Sequence, residues 1–186
     1  GSIDMDGFVT LVKFAGTSQQ KIGGNVAALD QIEVDNSAGL KLEGNIVLIG
    51  ASSPLTAITL TNGDLDLNGN YTISFSAATC KLIETNGYIT NTKPGTGYIA
   101  TLAAGTGAAN INASGIGVSG VASTGVIVRR YHGVKTIDGI KSISRYYMIE
   151  DNAGDESSVA VVFAYREAEL NGNTEAQLTA YLSANP

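Results

Sequence analysis

In the first half of the chain, apolar and polar residues alternate in short bursts broken by Asn and Gly. The segment "QIEVDNSAGLKL" (31–42) reads as strand, turn, strand: Ile32 and Val34 alternate with polar neighbours, Asn36-Ser37-Ala38-Gly39 turns, and Leu40 and Leu42 resume. "AITLTNGDLDL" (57–67) repeats the plan, with Ile58, Leu60, Leu65 and Leu67 around Thr61-Asn62-Gly63-Asp64. Period-two alternation turns one face inward and the other to solvent, and Asn and Gly supply the left-handed conformations of sharp corners. A nine-residue phrase recurs as "IDMDGFVTL" (3–11), "LKLEGNIVL" (40–48) and "LDLNGNYTI" (65–73), around Gly7, Gly44 and Gly69. Strand-only repeats of roughly 20–25 residues predict a β-solenoid, in which each coil buries its apolar face only by stacking on the next. An ordinary sandwich with similar hairpins is the plainer alternative.

The pattern fades near residue 90. Segment 91–125 is rich in Gly, Ala, Ser and Thr, yet it carries Tyr98, Ile99, Leu102, Ile111, Ile116, Val118 and Val121, too many apolar residues for a linker. Beyond it, "GVIVRRYHG" (125–133), "SISRYYMIE" (142–150) and "SSVAVVFAY" (157–165) are longer, aromatic-rich strands separated by turn residues, which suits an antiparallel sandwich. Residues 174–182 fit a helical face or a strand equally well. The expected fold is all-β: solenoid repeats over 1–95, a transition or last coil over 96–124, and an antiparallel β-sandwich-like module, left short of strands, over 125–186.

Composition agrees with many short strands. Charged residues are 15% and Gly 23 of 186, against typical shares near ~25% and ~7%. The net charge of −6 argues against a nucleic-acid partner, which requires clustered Lys and Arg. No apolar run reaches the ~18 residues of a membrane-spanning helix. The lone Cys80, in "AATCKLI", reads as a small buried hydrophobe and can form no intrachain disulfide.

The phrases "GTSQQKIGGNVAALDQIEVDNSAGLKLEGNIVLIG" (16–50) and "ITLTNGDLDLNGNYTI" (58–73) resemble repeat segments of large secreted and surface proteins of Bacteroidetes. These are adhesin-like cargo of the type IX secretion system. "TGVIVRRYHG", "SISRYYMIEDNAG" and "VAVVFAYREAELNGNTEAQLTAY" look like the module that follows such repeats. The resemblance covers about 16–90 and 124–182 and implies a non-enzymatic scaffold or adhesive role on the cell exterior. It brings no catalytic residues. Such modules continue past "EAQLTAYL" and such cargo carries a sorting domain, so the resemblance also implies a fragment or a processed form.

Candidate chemistry is sparse. His132 is the only histidine; a nucleophilic triad would need it beside Asp138 and a serine such as Ser142, and no GxSxG elbow accompanies them. A solvated turn histidine is the plainer reading. One His and one Cys cannot build a zinc site. The pairs Asp4/Asp6 and Asp64/Asp66 each sit on one side of a strand, as the two carboxylates of a polysaccharide-cleaving solenoid would. Solvated acidic positions explain them as well. In "EDNAGDES", Asp151, Asn152, Asp155 and Glu156 offer oxygen ligands for Ca²⁺ without the full EF-hand spacing, and an acidic turn is the simpler account. Arg129, Tyr131, Arg145 and Tyr147 are the candidate contacts for a glycan or a protein partner. Alternation sends neighbours such as Arg129 and Arg130 to opposite faces. The expected partners are further copies of the chain, as a homo-oligomer or filament joined at solenoid ends and strand edges, or a cell-surface or extracellular ligand. A carbohydrate-binding module is the alternative.

Overall fold

In a computed structural model the chain is described over residues 11–23, 26–49, 56–76, 80–103, 109–111, 116–119, 126–151 and 160–180. Strands follow one another around three faces. The first coil holds β1 (Leu11–Gly16), β2 (Gln20–Gly23) and β3 (Val26–Leu29). The second holds β4 (Gln31–Asn36), β5 (Leu40–Glu43) and β6 (Ile46–Leu48), and the third β7 (Thr56–Asn62), β8 (Leu65–Asp66) and β9 (Ile73–Phe75). The fourth holds β10 (Lys81–Glu84), β11 (Ile89–Thr90) and β12 (Tyr98–Ala103), the last of these inside the 96–124 transition segment. Corresponding strands pair in parallel: β1-β4-β7-β10 form the first sheet, β2-β5-β8-β11 the second, and β3-β6-β9-β12 the parallel part of the third. This is the expected β-solenoid.

Register explains why the repeat is only approximately periodic. Val12, Ile32, Ile58 and Leu82 form one inward column across the first sheet, at sequence steps of 20, 26 and 24. Corners of different length absorb the difference, so the strands stay aligned. The phrases at 40–48 and 65–73 start in register, Leu40 on Leu65, but the third coil takes two extra residues at its corner, so Ile46 pairs with Ile73 and Leu48 with Phe75. The phrase at 3–11 does not share their register: its last residue, Leu11, opens β1 in the first sheet, whereas Leu48 and Ile73 lie in the third. Its residues 3–10, with Asp4 and Asp6, lie outside the described residues.

The core is a stack of aliphatic columns. Ile32, Val34, Leu40, Leu42, Ile46, Leu48, Ile58, Leu60, Leu65, Ile73, Ile89 and Ile99 are each at most 1% exposed, and burying each such side chain contributes about 1.5–3 kcal/mol. Cys80 joins this cluster, as its sequence context predicts. Corners pack just as closely. A Cβ on Gly63, at φ +101°, would lie 1.8 Å from the Asn36 carbonyl oxygen of the coil before, and one on Gly87 would lie 2.0 Å from the Gly63 oxygen. The fully buried Asn36 amide donates to the Ser18 carbonyl at 2.8 Å and to Gln20 Oε1 at 2.9 Å, tying the first two coils together.

The C-terminal strands do not stand apart from the solenoid. β13 (Ala109–Ile111) and β14 (Ile116–Ser119) form a hairpin; β15 (Val126–His132) returns to pair antiparallel with β12. The small hairpin β16 (Thr136–Ile137) and β17 (Ile140–Lys141) leads into β18 (Arg145–Asp151), which pairs with β15. The third sheet thus runs β18-β15-β12-β9-β6-β3, six strands, changing from parallel to antiparallel where the coils end. β19 (Ala160–Phe163) joins β14 to complete a separate three-stranded antiparallel sheet. Residues 174–182 resolve to a short 3-10 turn, Glu175–Gln177, where described.

Candidate functional site

β15 and β18 carry every candidate contact residue, and their two faces do different things. Register places Ile127, Arg129 and Tyr131 on the same face as Tyr146, Met148 and Glu150, and Val128, Arg130 and His132 on the other with Arg145, Tyr147 and Ile149. The inner face continues the solenoid core, and there the columns change character. Ile46, Ile73 and Ile99 stack in register and the next position is Arg130. Phe14, Val34 and Leu60 stack in the first sheet and the next position is Glu84. Two apolar columns therefore end in opposite charges that meet: Arg130 Nη2 lies 2.7 Å from Glu84 Oε1, with side chains 1% and 13% exposed.

Around that pair a network joins the last coil to the C-terminal segment. Arg145 Nη2 lies 3.8 Å from Glu84 Oε2 and 2.7 Å from Glu169 Oε1, and its Nε donates to Glu169 at 2.9 Å. Arg145 Nη1 donates to the Ala164 carbonyl at 2.9 Å. Arg166 Nη2 donates to the Glu84 backbone carbonyl at 2.7 Å, on the outermost strand of the first sheet. The Glu84 carboxyl is pushed up by burial, but the Arg130 guanidinium, helped by the Ile89 N–H and Arg145, more than offsets this and holds it below the usual carboxylate range. Arg130 stays cationic, because a guanidinium keeps its proton in proteins.

This corrects two expectations. Arg145, a candidate exposed contact, is 4% exposed and bound to Glu169. His132, expected in a solvated turn, is the last residue of β15 on its inward face and is 9% exposed. Burial, then the nearby Arg130 and Arg145 charges, holds its imidazole well below the usual value, so it is neutral. Parity and register decide: His132, two residues on from Arg130, must point inward with it, and Arg145 lies opposite His132 on β18. Asp138 and Ser142 belong to the β16–β17 hairpin and its exit. Asp138, at φ 51°, forms the β16–β17 turn with Gly139, and the Ser142 hydroxyl donates to the Ile143 carbonyl and accepts from the Lys135 N–H.

The outer face is a tyrosine ladder. Tyr98, Tyr131 and Tyr146 occupy one register row across β12, β15 and β18. Tyr131 and Tyr146 stack with parallel rings at 4.7 Å, and Tyr98 meets Tyr131 at 5.3 Å. The Arg129 guanidinium lies 5.4 Å over Tyr98 and Lys135 Nζ 5.2 Å over Tyr146, contacts in which cation meets ring face. Arg129 also pairs with Glu150. Tyr131 is enclosed by its neighbours and 9% exposed, so it supports the ladder from within; Tyr98, Arg129 and Tyr146 are half-exposed. Tyr147 is half-buried on the other face, its ring 5.3 Å from Phe163.

Elsewhere, Asp64 and Asp66 line a groove of about 310 Å³ with Asn62, Asn86, Tyr88 and Thr92. Asp66 is tied into the stack: Thr92 donates through its hydroxyl at 2.5 Å and its N–H at 3.0 Å, and the Asn68 N–H donates at 2.8 Å. Burial pushes its carboxyl up, and these donors outweigh that and hold it low. Asp64 is raised, mainly by burial. Of the calcium candidates, Asp151 ends β18, while Asn152, Asp155 and Glu156 lie outside the described residues. Among the described residues no three metal-ligating side chains gather.

The sequence reading missed Glu84, Arg166 and Glu169, and named Arg130 without saying which way it points. A signal for Glu84 was present: "TNG" occurs at 61–63 and again at 85–87, and aligning the two places Glu84 beneath Leu60 in an inward column. Arg130 follows from Arg129 by parity, and which of the two is inward depends on a register only the fold supplies. Compared with known proteins, the chain matches no family model, no curated protein and no solved structure.

Proposed function

We propose that this chain is a non-enzymatic structural or adhesive component of a bacterial exterior that associates with further copies of itself. Its working surfaces are strand edges and the outer face of the third sheet. The observation that carries the reading is the continuous six-stranded third sheet. It begins on the first coil and ends on β18, to whose other edge no strand pairs among the described residues. Unpaired strands present rows of backbone donors and acceptors that template association. The Arg130–Glu84 network supports the reading by tying the last coil to the strands that carry this edge. We read the antiparallel part as a sandwich-like module with β13, β14 and β19 as its second layer. Electron microscopy of the chain across a concentration series, paired with light scattering, tests this reading: ordered oligomers or filaments are expected, and monodisperse monomer throughout would overturn it.

A second reading is favoured by the tyrosine ladder. Tyr98 and Tyr146, with Arg129 and Lys135 beside them, are the residue types of a glycan-binding face. A glycan array probes it: binding lost on Tyr146→Ala is expected, and an array without hits removes it.

A further inference from the structure

The corner between the first and second sheets carries a polar groove that neither reading above uses. We infer that this groove binds a short neutral oligosaccharide. Gln20, Leu40, Leu65 and Ile89 stack in register at the start of the second sheet. The residues before them therefore form one column across four coils: Gln19, Gly39, Asp64 and Tyr88. Backbone bonds follow it: the Gln20 N–H donates to the Gly39 carbonyl at 3.1 Å, Leu40 to Asp64 at 2.8 Å and Leu65 to Tyr88 at 3.0 Å. At ~4.8 Å per coil the column spans about 14 Å. Glycine in the second coil makes the depression. A Cβ on Gly39, at φ +80°, would lie 2.8 Å from the Asp64 carbonyl oxygen, and the adjoining Ser37 and Ala38 are also small. The groove's volume, about 310 Å³, is at the small end of ligand sites, about 300–1,000 Å³.

The groups along the groove match a sugar. Tyr88 is 39% exposed and held in place: Asp64 Oδ1 accepts its N–H at 3.1 Å, and the Arg166 guanidinium lies 5.4 Å from its ring centroid. A fixed, exposed ring with a hydroxyl at its tip offers an apolar body to a pyranose face and a polar end to its hydroxyls. Gln19, Asn62 and Asn86 add carboxamides, each both donor and acceptor as a sugar hydroxyl is. Their side chains hydrogen-bond to no other described residue, and the second oxygen of the half-buried Asp64 carboxylate has no partner among the described residues. Other ligand classes fit less well. Among the described residues no Lys or Arg lines the groove, and Asp64 and Asp66 disfavour phosphate, sulfate or uronate. Asp66 is committed to Thr92 and Asn68, which leaves a cation a single carboxylate. Leu40 at the groove is 0% exposed, so a peptide finds no aliphatic anchor there.

The test is an array of neutral di- to tetrasaccharides of glucose, xylose, mannose and N-acetylglucosamine, with oligogalacturonate as the charged comparison, followed by calorimetry on the hits. The full chain is probed as wild type, Tyr88→Ala, Asn86→Ala, Tyr146→Ala and the exposed control Lys141→Ala, with circular dichroism to check folding. Asn86 is exposed and holds no other described side chain, so Asn86→Ala reports on the groove even where loss of the Tyr88 ring loosens the corner. The expected result is binding of at least one neutral series in preference to oligogalacturonate, at least about tenfold weaker in Tyr88→Ala, weakened in Asn86→Ala and unchanged in Lys141→Ala. Binding lost in Tyr146→Ala but kept by both groove variants belongs to the tyrosine ladder and would overturn this inference. So would an array with no neutral hit, or one on which oligogalacturonate binds best; either leaves the self-association reading untouched.

Discussion

Replacing Glu84 by Gln removes one charge from the junction and nearly nothing of its volume. Glu84 is the point where Arg130, Arg145 and Arg166 converge, through its carboxylate and its backbone carbonyl. The Arg130 side chain is 1% exposed, so water cannot compensate it once its partner is neutral. Removing one member of a buried pair costs about 3–5 kcal/mol. Glutamine still accepts one hydrogen bond and Arg145 keeps Glu169, which sets the expectation near the lower end, about 3 kcal/mol. For a chain of this length that lowers the midpoint by roughly 6–12 °C. Arg130→Met alone strands Glu84 instead and costs a similar amount, about 3 kcal/mol. The double variant leaves no buried charge between these two positions, so the two losses should fall short of additivity by about 2 kcal/mol or more. Lys21→Ala is the control: it breaks a 2.6 Å pair whose side chains are 59% and 47% exposed, expected to matter by less than about 1 kcal/mol. Urea denaturation followed by circular dichroism, with limited proteolysis to localise the loosening, measures all four. Glu84→Gln indistinguishable from Lys21→Ala, or additive losses within about 0.5 kcal/mol, would refute the argument that the junction is held by this pair.

Other outcomes follow from single groups. His132 is the only histidine and is held neutral in the fold, while the unfolded chain takes up its proton below about pH 6.5. Stability should therefore rise with pH from about 5 to 6.5, by at most about 1.4 kcal/mol per unit, and a pH series of urea midpoints on His132→Gln should lose that slope; an unchanged slope would place the titration elsewhere. Gly63→Ala puts a methyl 1.8 Å from a backbone oxygen at φ +101° and should cost about 3 kcal/mol or more. Gly139→Ala, at φ +81° with open space around it, should cost about 1 kcal/mol; equal losses in thermal melts would contradict the stacked-corner account. Asp66→Asn gives up the oxygen that accepts the Thr92 hydroxyl and should cost about 1–2 kcal/mol at neutral pH. Because the folded carboxyl is held low, its contribution is present above the unfolded value near 3.9 and lost as pH falls through the folded one. The difference between wild type and Asp66→Asn should therefore shrink in acid, and a pH-independent difference would be inconsistent with this.

What the sequence determined by itself was the kind of fold. Period-two alternation around Asn-Gly corners, repeated at nearly equal spacing, favours stacking over a sandwich as the way to bury Ile32, Val34, Ile58 and Leu60, and the coils are built that way. The burial of Cys80, just before β10, was legible from its apolar setting. What only the tertiary structure decided was which residues meet. Alternation says that Arg129 and Arg130 point opposite ways but not which way, and a slip of one residue exchanges the two. Pairing with β12 settles it, sending Arg130 to Glu84, 46 positions earlier, and leaving Arg129 over Tyr98. The same step turned His132 and Arg145 from apparent surface residues into buried ones. It also carried the third sheet out of the solenoid into the antiparallel strands, a continuity that local pattern cannot carry because it depends on contacts between residues far apart in the chain.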